Sequence, residues 1–181
     1  MRITREWAMP NSRTFSIPPI AAFVERHISG AGCIVDPFAN ECKYGTIRND
    51  LNPAFDTEYH MDALDFLKTL PAESADVVLY DPPYSLRQVK EHYEGVGIKM
   101  TQENAQSSWR ARHLDEIARI TKPRGLCLSF GWNSNGAGMK RGFDTEEILL
   151  VPHGGSKNDT ICVCERKRSF TQTSLLEGIQ P

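Results

Sequence analysis

The chain is predicted to fold as a doubly wound α/β domain around a mostly parallel sheet. Three observations predict it. Two short apolar runs, Cys33-Ile34-Val35 and Ala75-Asp76-Val77-Val78-Leu79-Tyr80, read as strands buried on both faces. Each stops at an acid followed by proline, Asp36-Pro37 and Asp81-Pro82. Segments with helical spacing alternate with the strands, which is the signature of βαβ units. Open sheets of this kind bind ligands at the carboxyl ends of their strands, so Asp36 and Asp81 stand where a ligand is expected.

A chain of 181 residues suits one domain with a sizeable core. The net charge of −2 does not announce a nucleic-acid binder, so any basic surface must be local. No apolar run approaches the roughly 20 residues of a membrane span, and Met1-Arg2-Ile3-Thr4-Arg5 does not lead into a signal sequence. The five cysteines are Cys33, Cys42, Cys127, Cys162 and Cys164. An odd number without a Cys-x-x-Cys pair reads as reduced residues of a cytoplasmic protein, and no metal site is expected.

The elements follow in order. Residues 1–12 carry no clear period. Residues 14–19 form an extended lead into a helix over 20–28, with Pro19 in its first turn and Gly30 at its stop. The first strand, 33–35, ends in Asp36-Pro37-Phe38-Ala39-Asn40. Asp50 follows only 14 residues beyond Asp36, against about 20 in an ordinary βαβ unit, so the helix between them is short or missing. Asp50-Leu51-Asn52-Pro53 closes the second strand. Asp62 is the N-cap of a helix over 64–70. The strand 75–80 ends in Asp81-Pro82-Pro83-Tyr84. Residues 85–113 are an inserted stretch in which Arg87, Lys90, Lys99, Arg110 and Arg112 face three acids and interleave with His92, Tyr93 and Trp109. A helix over 109–121 leads to a strand at 126–130 and the polar loop Gly131-Trp132-Asn133-Ser134-Asn135-Gly136. Residues 146–152 and 159–165 pair as a closing hairpin. The expected domain is 1–168, with 169–181 a loose tail.

The four residues Asp81-Pro82-Pro83-Tyr84 carry the chemistry. The prolines fix the backbone and leave carbonyls without competing donors. A carboxylate, a carbonyl and a flat ring together suit a planar base bearing an exocyclic amine. This motif resembles that of the S-adenosylmethionine-dependent amino methyltransferases, which make N6-methyladenine or N4-methylcytosine in DNA. The resemblance spans roughly residues 14–167 and implies a seven-stranded Rossmann-like methyltransferase sheet whose last strand is antiparallel. Asp36-Pro37-Phe38 resembles the cofactor motif, but Ala39-Asn40-Glu41-Cys42 stands where glycines are expected. Asn40 is able to take the positive φ that such a turn needs.

The resemblance assigns catalysis to Asp81, Pro82, Pro83 and Tyr84. It assigns S-adenosylmethionine to Asn11, Thr14, Phe15, Asp36, Pro37, Phe38, Ala39, Asp50, Leu51, Asn52, Asp62, Ala63 and Asp81. Within that set Asp50 faces the ribose, Asp62 the adenine amine, and residues 11–15 the methionine end. Tyr84, Arg87, Lys90, Lys99, Trp109, Arg110, Arg112 and Asn133 are the candidate substrate contacts, because basic groups among aromatics meet phosphates and bases. The implied activity is site-specific N6-adenine methylation of a flipped or single-stranded base in DNA. N4-cytosine and N6-adenine RNA methylation, and a degenerate fold that only binds nucleic acid, stay open. No separate target-recognition domain is expected, which suits a minimal enzyme of a bacterium, phage or plasmid.

Overall fold

The structure, a computed structural model, describes residues 1–11, 13–99, 108–155 and 158–169. Its elements are β1 (Arg2–Arg5), α1 (Pro18–Ile28), β2 (Ile34–Asp36), β3 (Ile47–Arg48), α2 (Ala63–Thr69), β4 (Ala75–Tyr80), α3 (Leu86–Glu94), α4 (Ser108–Ile120), β5 (Thr121–Gly131), β6 (Phe143–Val151) and β7 (Thr160–Lys167), with short 3₁₀ turns at Thr14–Ser16 and Met139–Arg141. The seven strands form one sheet in the order β1-β6-β7-β5-β4-β2-β3. Only β7 runs antiparallel to its neighbours. This is the expected doubly wound sheet with a closing hairpin.

The sheet is buried on both faces, and the alternation of its strands decides which side chain goes where. Val77 and Leu79 of β4 and Leu126, Leu128 and Phe130 of β5 pack against Ile20, Phe23 and Val24 of α1. Val78 and Tyr80 face the other way, onto Phe66 and Leu67 of α2 and Leu114, Ile117 and Ile120 of α4. Asp62 caps α2 by accepting from the Leu64 amide at 2.9 Å, as expected.

Two departures from the sequence reading, and one feature that the Asp36-to-Asp50 spacing predicts, bear on the site. The seventh strand is β1, taken from residues read as patternless; it pairs in parallel with β6 at the sheet edge. The connection from β2 to β3 has no helix. A turn replaces it, with Asn40 at φ +50°. Gly45 lets that turn lie on β2, since a Cβ there would come within 3.0 Å of Asp36 Cβ and 2.8 Å of Arg48 Cγ. The stretch read as one inserted loop holds α3 and the first turns of α4. Met100 to Ser107, with Glu103, and the tail beyond 169 lie outside the described residues. No described helix is long and apolar enough to cross a membrane.

Candidate active site

β4 delivers Asp81 to the carboxyl edge of the sheet, beside the turn after β2. A cavity of about 770 Å³ opens there, within the usual range for small-molecule sites. Of the sequence candidates, Thr14, Phe15, Phe38, Ala39, Asp50, Asp81, Pro82, Pro83 and Tyr84 line it. The segment before α1 forms one wall, held by an Arg13–Glu41 ion pair of 2.6 Å. Phe15 sets its ring edge-on to Phe130 at 4.9 Å and to Tyr44 at 6.2 Å.

Glu41, Asp50, Asp81 and Glu91 line this space, and Asp36, expected to face a ligand, lies next to it without lining it. Asp50 accepts from the Asn40 and Asn52 amides, both at 2.9 Å, which fixes it toward the cavity. Asp81 receives hydrogen bonds from the Tyr84 hydroxyl and from the Thr14 side chain. Burial raises the Asp81 pKa against those two bonds and the Arg110 charge. Asp36 lies beneath the turn, fully buried. One of its oxygens accepts from the Phe38 amide at 3.1 Å, while Oδ2 has no partner. Burial, with the charges of Asp81 and Asp50 adding to it, pushes its pKa up to about 8.

Other candidates stand apart from the cavity. Pro37, Leu51, Asp62 and Ala63 border a separate space of about 10 Å³ with Phe38, His92, Tyr93 and Trp109. The Tyr93 hydroxyl donates to Asp62 Oδ2, so the acid expected to face an adenine amine is engaged by α3. Asn11 holds Ser16 at 3.0 Å on the surface, and Asn52 caps the Ala54 amide.

The substrate candidates scatter as well. Trp109 is buried with Val89 and Tyr93, and so is no surface contact; its indole fills a core that α3 and α4 share. Arg87 pairs with Glu91 at 2.8 Å and Lys90 with Glu94 at 3.6 Å, the i,i+4 pattern of a solvated helix face. Arg110 lies over the Tyr80 ring at 5.3 Å and donates to the Asn135 carbonyl at 3.1 Å. Arg112 is half-buried and Lys99 exposed. The Asn133 side chain accepts from the Asn135 amide.

Several lining residues were not among the assigned site residues: Asn40 to Tyr44 from the turn, of which Asn40 to Cys42 stand where the cofactor motif expects glycines, and Gln88, Glu91 and His92 from α3. The short Asp36-to-Asp50 spacing was the available signal for the first group, since a turn without a helix must wrap the strand end. Nothing in the sequence pattern separates His92 from its exposed neighbours. Among the described residues, no three His, Cys, Asp or Glu side chains cluster as a metal site, and all five cysteines are unpaired.

Solved structures with the same architecture include the N-methyltransferase NodS from Bradyrhizobium japonicum WM9, with a TM-score of 0.58 and 10% identity over 88% of this chain and all of that one. The 1,6-didemethyltoxoflavin-N1-methyltransferase from Burkholderia thailandensis, solved with S-adenosylhomocysteine, gives 0.56 and 11% over 83% and 77%. TrmN from Thermus thermophilus gives 0.55 and 15% over 83% and 49%. The fold is that of the methyltransferases.

Sequence similarity points the same way. The type II methyltransferase M.BamHI of Bacillus amyloliquefaciens is 33% identical over 95 residues, 47% of this chain and 21% of that protein. The DNA adenine methyltransferase YhdJ of Escherichia coli K12 is 32% identical over 94 residues, 52% and 26% respectively. The chain thus spans about a quarter of the length of these curated relatives. No protein-family model matches it.

Proposed function

We propose that this chain transfers a methyl group from S-adenosylmethionine to the N6 amine of adenine in DNA. The observation that carries the reading is the half-buried Asp81, set beside two prolines and Tyr84 on the wall of a cavity whose other side is Asp50. The similarity to YhdJ supports adenine in DNA as the target.

The cavity fits the cofactor in size and in charge. Two of its lining carboxylates, Asp50 and Asp81, suit a ligand bearing a sulfonium and an amino group. Asp50 is fixed for ribose hydroxyls, with lone pairs left beyond the two it gives to amides. Thr14 and Phe15 stand at the methionine side. The Asp62 side is occupied by Tyr93, so adenine binding there needs Tyr93 to yield its hydrogen bond or to share Asp62. S-adenosylmethionine, when bound, supplies an electrophilic methyl group.

The residues of this chain prepare the nucleophile. The adenine amine is weakly nucleophilic because its lone pair is delocalised into the ring. Asp81 and the Pro82 carbonyl accept its two hydrogens and favour a more tetrahedral nitrogen. As the N–CH₃ bond forms and the S–CH₃ pair stays with sulfur, nitrogen becomes positive and sheds a proton. Asp81 is suited to receive it, because burial has raised its affinity for protons. To engage Asp81, the amine must displace the Tyr84 hydroxyl or share its acceptor. In a duplex the base must first leave the stack. Residues 1–168 serve as one catalytic unit, and the unpaired cysteines suit a reducing cytoplasm.

The test is labelled methyl transfer from S-adenosylmethionine to DNA, RNA and protein, with the modified nucleoside then identified. N6-methyladenine in DNA is expected. N4-methylcytosine, or label only in RNA or protein, overturns the assignment.

A further inference from the structure

We propose that Trp132 is the stacking surface on which the target base is seated. The proposal rests on the nucleobase-methylation reading above and names a part of its substrate site. Trp132 follows the last residue of β5, and its indole stands near Tyr84, with centroids 5.7 Å apart and planes at 69°. Tyr84 lines the cavity and Trp132 does not, so the indole lies beyond the methylation motif. It is 41% exposed.

The loop that carries this ring is fastened. Glu165 of β7, only 2% exposed, accepts from the Ala137 amide at 2.5 Å and from the Gly138 amide at 3.0 Å. A Cβ on Gly136 would fall 1.9 Å from the Glu165 carboxylate, so a larger residue there must push that carboxylate off the two amides. Arg110 and Arg141 donate to the Asn135 and Ala137 carbonyls at 3.1 and 3.2 Å. Such anchoring costs conformational freedom. It presents to solvent a large apolar ring that would gain by being covered.

Tyr84 is fixed too, because its hydroxyl is bonded to Asp81. Two rings at 69° make a corner, not a parallel clamp. A planar base lying flat on the indole meets the Tyr84 ring edge-on, an arrangement that aromatic pairs favour. The corner adjoins Asp81 through Tyr84, so a base seated in it has its amine close to the acceptor. Stacking is tolerant of base identity. Trp132 therefore supplies affinity, and the choice of base falls to the hydrogen-bonding groups.

The experiment compares parent, Trp132→Ala and Trp132→Phe on heat-denatured genomic DNA with labelled S-adenosylmethionine, and measures cofactor affinity of each by calorimetry. Trp132→Ala is expected to lose roughly 10- to 100-fold in kcat/KM for DNA, the size of one lost base stack. The loss should appear mainly in KM, with cofactor affinity at the parental value, and Trp132→Phe should recover most of it. The proposal is overturned if the parent methylates DNA and Trp132→Ala matches its kcat/KM. It is equally overturned if Trp132→Ala loses cofactor affinity in the same proportion as kcat/KM, since the ring is then structural. A parent that methylates no DNA removes the reading beneath the proposal and the proposal with it, an outcome distinct from the other two.

Discussion

Asp81 lines the cavity and Asp36 lies buried beside it, and each gives a test. In the proposed reaction the contribution of Asp81 grows as positive charge develops on the target nitrogen. Asp81→Asn keeps the shape but loses the charge, and should slow single-turnover methylation by about 10²–10³, the cost of removing one well-placed electrostatic group. A parental rate in that variant removes Asp81 as the amine acceptor. Tyr84→Phe keeps the ring and frees an Asp81 oxygen, so its effect should be mild, whereas Tyr84→Ala should cost about 0.5–1.5 kcal/mol of base binding, the value of an edge-on aromatic contact. Asp36 is a matter of stability. Its folded pKa, about 8, exceeds the ordinary 3.8, so the folded chain holds a proton that the unfolded chain releases. The stabilisation is complete below pH ~4 and is lost as pH rises through about 8. Urea unfolding at pH 5 and pH 8 should show the parent weakening by on the order of a few kcal/mol, and Asp36→Asn should lack that slope.

At the scale of elements, α3 closes the proposed cofactor side at Asp62. Tyr93 reaches from α3 to Asp62, and Tyr93→Phe removes this competitor while leaving the ring packed on Trp109 and Val89. S-adenosylmethionine affinity should rise by about 0.5–1.5 kcal/mol, the net value of one hydrogen bond; calorimetry showing a fall would mean that the hydroxyl itself holds the ligand. α3 also shows why part of the site was illegible. Its charged residues are locally paired, and only Val89 and Tyr93 anchor it, so the stretch reads as a solvated loop. Trp109 misleads for a related reason: aromatics among arginines suggest a stacking platform, yet this one fills a core between two helices. By contrast, β4 and its Asp81 were plain, because a β-branched run ending in Asp-Pro-Pro leaves few alternatives. The helix-free turn after β2 was equally readable from spacing, and Asn40 takes the positive φ that its side chain permits.

For the whole molecule, doubly wound topology was legible from alternation, but the strand at the sheet edge was not. β1 has one apolar residue, Ile3, and that side chain is 58% exposed. Backbone pairing to β6 makes it a strand, together with the Ala8 carbonyl that meets buried His153 at 2.9 Å. No periodicity in four residues reports such a partnership. Beneath the sheet, Asp76 ties the Gly32 and Cys33 amides to Lys122. On the α1 face, buried Glu147 gathers Arg26 and His27 at 2.8 and 3.1 Å. Asp50→Ala tests whether this frame and the site are separable. Cofactor affinity should fall by roughly 1.5–3 kcal/mol through lost charged hydrogen bonds, while far-UV circular dichroism stays parental.

The edge position of β1 also sets an order of events in time. Arg2 pairs with Glu147 and Arg5 with Leu150, so the first strand must wait for nearly the whole chain before it finds its partner. Closing so long a loop brings little return until the rest of the sheet exists. Docking of β1 is therefore a late step, after the barrier to folding has been crossed. Removing residues 1–8 should leave the refolding limb of the chevron in place and speed the unfolding limb, because contacts absent from the transition state act on unfolding alone. On the ribosome β1 emerges well before β6, so it spends the synthesis of the intervening residues without its partner strand.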